Sequence, residues 1–94
     1  MVLAMEVEES PTLSSGAFTV TFGDYEKVKN AVAMIQEPAG TTSNDDLFCF
    51  KTSISGNTVT VTVLKIDITG SSNWANATTT DLNNKTVVVI ADCE

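Results

Sequence analysis

Histidine and arginine are absent from this 94-residue chain, and proline and cysteine occur only twice each. Without histidine no Ser-His or Cys-His nucleophile pair can form, and metal sites built on imidazole are excluded. Without arginine the chain lacks the guanidinium forks that grip phosphates and guanine edges. Twelve acidic side chains stand against five lysines, a net charge of −7, so no nucleic-acid partner is expected. No apolar run approaches the roughly 20 residues of a membrane-crossing helix, and no membrane partner is expected. The five glycines are scattered through turn sequences and form no phosphate-cradling pattern.

Catalytic chemistry is equally thin. Asp45, Asp46, Asp67, Asp81 and Asp92 are available for carboxylate catalysis, but none falls in a setting that raises its pKa, and a domain this small seldom encloses a polysaccharide cleft. Asp45-Asp46 follows Asn44 without the spacing of a calcium loop and reads as an exposed acidic turn. No enzyme activity, cofactor or metal is expected. Cys49 and Cys93 lie in predicted strands and form no CxxC motif. Two readings stay open for them: free thiols, or a disulfide worth about 3 to 4 kcal/mol if their strands are neighbours.

What remains is sheet-forming material. Threonine is the commonest residue with valine close behind, and the length fits one domain with a small core. Phe18, Val20 and Phe22 alternate with Thr19 and Thr21, which predicts a half-buried strand. The stretch Leu47 to Ile68 predicts a long β-hairpin: Phe48, Phe50 and Ile54 alternate with polar neighbours, Ser55-Gly56-Asn57 interrupts, and Val59, Val61 and Val63 resume. Beyond Val63 the apolar positions change parity to Leu64, Ile66 and Ile68. Keeping all six inward would require a β-bulge or bend near Val63-Leu64, or a strand passing from one sheet to another.

Between these signals, Tyr25, Val28, Val32 and Ile35 carry helical spacing, but the all-β context favours a turn around Asp24 to Lys27 and a strand from Val28 to Gln36. Residues 38–46 read as an exposed polar loop. Trp74 to Ala77 suggests one helical turn, and the run Val87-Val88-Val89-Ile90-Ala91 reads as a strand buried on both faces, hence a central or interface strand. The opening Met1 to Met5 has no basic flank and runs into Glu6, Glu8 and Glu9, so it does not read as a signal peptide. Sequons at Asn76 and Asn84 occur as often as chance provides in so Thr-rich a chain.

The fold class expected is all-β: one small antiparallel sandwich or barrel, residues 13–94, with a bent central hairpin and an N-terminal arm over residues 1–12. In the arm, Leu3, Met5 and Val7 lie on one side and Ala4, Glu6 and Glu8 on the other. It reads either as a first strand or as an arm adding to a neighbouring subunit's sheet. Trp74 is either a loop anchor or a lid on the core. The candidate partner-binding residues are Leu3, Met5, Val7, Trp74, Asp45 and Asp46.

The segments Gly56 to Val63, Phe18 to Phe22 and Val87 to Asp92 together resemble the small Thr/Val-rich β-sandwich proteins on the surface of tailed-virus particles, the capsid decoration (cement) proteins and fibre-tip domains. The order of strands also resembles the H-type lectin sandwich. The first resemblance implies a structural protein at the virion surface, carried in many copies, often as trimers, against a major capsid protein or another virion protein. The second implies a carbohydrate- or receptor-binding module.

Overall fold

Val59, Val61 and Val63 have no exposed surface, and Val87 and Val89, in the same core cluster, are equally covered. These five valines come from the central strands of two sheets. The computed structural model describes residues 2–36, 46–67 and 73–94. One sheet, here sheet A, orders its strands β1-β7-β3, with β1 Val2–Glu9, β3 Val28–Gln36 and β7 Thr86–Cys93. Sheet B orders β2-β5-β4, with β2 Ala17–Thr21, β4 Asp46–Ser55 and β5 Thr58–Asp67; a short β6, Ala75–Asn76, pairs with β5 beside β2. All pairings within these sheets are antiparallel, and the two layers form a small β-sandwich.

The local chemistry explains the elements. Alternating β-branched and polar residues suit a pleated surface with one face dry. Gly56-Asn57 closes the β4-β5 hairpin as a two-residue turn, and the positive φ of Gly56, 60°, is the geometry glycine supplies at the first central position of a II′ turn. Ser15 and Gly16, both with positive φ, form the tight turn before β2. Ser10, at φ 46°, ends β1 just before Pro11. The helical spacing of Tyr25 to Ile35 loses to sheet pairing: β3 runs the length of β7, opposite Val87, Val89 and Ala91, with one irregularity between Val28 and Asn30.

Two expectations are corrected. The β4-β5 register runs without a shift from Asp46 opposite Asp67 to Ser55 opposite Thr58, so there is no bulge at Val63-Leu64 and the hairpin stays within one sheet. The parity change instead turns the side chains over: Val63 is buried inward, while Leu64 and Ile66 are half-buried on the outer face and Lys65 takes the inward place. The second correction concerns Ala75-Asn76, which is extended and paired to Leu64 and Lys65 rather than helical. Backbone pairing with β5 satisfies more donors there than a single isolated turn would. The helical turn lies further on, a 3-10 segment at Thr80–Leu82 that drives Leu82 fully into the core.

The sheets are tied at one corner. Thr52 donates its hydroxyl to the Ala31 carbonyl (3.1 Å), and the Val28 N–H donates to the Gly56 carbonyl (2.8 Å). The polar loop expected over residues 38–46 lies outside the described residues except for Asp46, which begins β4 rather than ending a loop.

Candidate interaction surface

Directly opposed residues of an antiparallel pair point to the same face. Because Val87, Val89, Ala91 and Cys93 point into the core, their neighbours Thr86, Val88, Ile90 and Asp92 must point out. Carrying the register across sheet A gives four rows on its outer face: Leu3, Asp92, Asn30; then Met5, Ile90, Val32; then Val7, Val88, Met34; then Glu9, Thr86, Gln36. The two middle rows are wholly apolar and the two end rows are largely polar.

This inverts ordinary strand logic for β1. Leu3, Met5 and Val7, the side that would normally be buried, are 66%, 62% and 45% exposed, and Val32 and Met34 beside them are 57% and 48% exposed. The inner side of β1 carries Ala4, Glu6 and Glu8 at the open margin of the sandwich. Monomeric proteins seldom leave a contiguous apolar patch beyond about 300–600 Å². A shallow, almost wholly apolar depression of about 160 Å³ lies at one end, lined by Leu3, Val32, Ile90 and the polar pair Asn30 and Asp92. Asp92 Oδ1 is buried with no hydrogen-bond partner among the described residues.

Trp74 does not join this face. It is 50% exposed just before β6, on sheet B, so it does not cap the core. On the outer face of that sheet Leu47 opposes Ile66 and Cys49 opposes Leu64, with Leu47 53% exposed, so a second and smaller apolar area lies there. Most of the rest of sheet B's outer face is hydroxylated: Thr19 opposes Thr60, Thr21 and Thr58 share a hydrogen bond of 3.1 Å, and Thr62 lies between Ala17 and Lys51. Asp46 is the first residue of β4, and Asp45 lies outside the described residues.

Lys65 Nζ lies 2.9 Å from Asp81 Oδ1, while Asp81 Oδ2 accepts from the Thr78 N–H (2.8 Å) and hydroxyl (2.9 Å). Burial raises the Asp81 pKa, but these donors outweigh it and hold the carboxyl below its ordinary value. Burial pushes the Cys93 thiol up, with the Asp92 charge adding to it. Cys49 is exposed and Cys93 buried, and both are free thiols. An open cleft of about 480 Å³ between β1 and β2 carries a single carboxylate, Glu8, which cannot do paired acid-base work. Among the described residues no three His, Cys, Asp or Glu side chains gather to hold a metal ion.

The outer face of sheet A was only partly visible in the sequence. Val32, Met34, Val88 and Ile90 were missed as surface residues, although their signal was there. An apolar run on both faces of a strand, in a domain with only two layers, leaves one face outside. No family model, curated protein or solved structure matches the chain.

Proposed function

We propose that the protein is a structural, non-enzymatic component of a virus particle, a capsid decoration or surface protein that binds a symmetric shell in many copies. The observation that carries this reading is the presence of apolar surface on the outer faces of both sheets. Sheet A offers the Met5-Ile90-Val32 and Val7-Val88-Met34 rows, and sheet B offers Leu47, Leu64 and Ile66. A rigid module with contact surfaces on opposite sides is suited to bridging: one side holds its own kind and the other holds a shell or other virion protein. Acidic surface charge keeps free copies soluble before assembly.

The test is fractionation of virus particles purified from cultures that make this chain. Quantitative mass spectrometry should find it at a fixed, high copy number per particle. Its confinement to the soluble fraction would sink the reading.

A second reading, a carbohydrate- or receptor-binding module, is favoured by one observation, the half-exposed Trp74. It is the sole tryptophan, so its fluorescence reports any sugar stacked on it. Glycan titration without a change in emission would remove this reading.

A further inference from the structure

We infer that the outer face of sheet A is a self-interface. A second copy of this chain packs on it about a two-fold axis that lies in the plane of contact, perpendicular to β7 and between Val88 and Ile90.

Self-complementarity decides the occupant. A two-fold interface must match a patch to itself. With the axis perpendicular to the strands, the rows reverse while the strands stack like on like. Ile90 then meets Val88 of the second copy, Met5 meets Val7, and Val32 meets Met34. At the rim Asn30 meets Gln36, and Asp92 meets Thr86, whose hydroxyl is a donor. The poorest match, Leu3 against Glu9, falls on the edge strand, where Glu9 can turn to water.

The alternative axis, parallel to the strands, would set Asp92 against Asp92 and leave two carboxylates facing each other. Charge therefore selects one of the two orientations. Face-to-face sheets pack about 10 Å apart, crossing at about 30°, so the match holds best at the central strand β7. The face spans three strands and four rows, on the order of 500 Å² per copy, at the low end for a specific interface. Area alone does not set affinity, so a face this small calls for a test that reaches high protein concentration. A three-fold ring would need two different patches, whereas this face matches itself.

The inference does not require that the assembly be a virus particle. It is tested by sedimentation velocity of the full chain from about 1 to about 500 μM. The expected result is a monomer-dimer equilibrium that Ile90→Lys abolishes. If that variant loses its thermal transition, Met5→Lys on the exposed edge strand replaces it, with the same expectation. Thr60→Lys on the opposite sheet should leave the dimer intact. Asp92→Asn and Thr86→Val should each weaken association at least about threefold. A monomer throughout the range, a trimer, or dimerisation indifferent to the Lys substitutions overturns the self-interface. Tightening by Asp92→Asn overturns the orientation. A monomer that still co-purifies with particles would leave the virion reading standing while this inference falls.

Discussion

Lys65 and Asp81 meet at 2.9 Å, the lysine from the inner face of β5 and the carboxylate from the 3-10 turn. The contact fastens the turn that carries Leu82 into the core, and it sits where the apolar parity of β5 changes. With Val63 the last buried valine, the next inward position is a cation, and Asp81 supplies its counter-charge.

Asp81 should therefore govern part of the acid sensitivity. Its carboxyl is held below the unfolded value of 3.8, because the Thr78 and Lys65 donors outweigh burial. A depressed folded pKa gives stability that is complete above the unfolded value and is lost as pH falls through the folded one. Thermal melts followed by circular dichroism should show stability falling below about pH 4, and the fall should be smaller in Asp81→Asn. Identical acid profiles would mean that the pair contributes nothing. At neutral pH Asp81→Ala is expected to cost about 2 kcal/mol.

Leu82 is fully buried, and truncating it leaves a cavity between two sheets that cannot close on it. Leu82→Ala should cost about 3 kcal/mol in urea unfolding, a large share of the total stability of so small a domain. A cost below about 1 kcal/mol would mean that the site collapses freely.

Gly16 and Gly56 both have positive φ but differ in their surroundings. A Cβ on Gly56 meets nothing, whereas one on Gly16 would sit 2.8 Å from the Asn76 side chain. Gly56→Ala should cost about 1 kcal/mol from backbone strain alone, and Gly16→Ala more, since β6 must also shift. The order of the two melting temperatures checks this, and a reversed order would contradict it.

Cys49 and Cys93 should react as unlike thiols because one is exposed and the other buried. A thiol reagent is expected to modify Cys49 at once in the native protein and Cys93 only on unfolding, giving one fast equivalent and then a second. Two fast equivalents, or none, would contradict the placement of these residues on an outer and an inner face.

Much of the fold was legible because period-two patterns and turn residues report directly on pleat and hairpin. The strand at Phe18 to Phe22, the Gly56-Asn57 turn and the central role of Val87 to Ala91 follow from local chemistry, whereas the strand at Val28 to Gln36 was favoured over a helix only by the all-β context. The break at Val63-Leu64 was legible as a break but not in its resolution. A parity change can be met by a bulge or by letting the outer face become apolar, and only the partner strand's unbroken register distinguishes them. The orientation of β1 was hidden for a similar reason. Its own alternation places Leu3, Met5 and Val7 together, but their face is set by pairing with β7, whose inward positions are already fixed by the core. Lys65 and Asp81 lie sixteen residues apart, and nothing local announces their contact.

The claim that the outer face of sheet A is a covered interface in the working assembly is tested most directly by oxidative footprinting of Met5 and Met34. Both thioethers lie exposed on that face in the single chain. Dilute monomer and assembled protein are treated with the same dose of peroxide, and sulfoxide at each methionine is read by mass spectrometry. The expected result is rapid oxidation of both in the monomer and strong protection of both in the assembly. Equal oxidation rates in the two states would show that this face stays open to water, and would contradict its assignment as the interface.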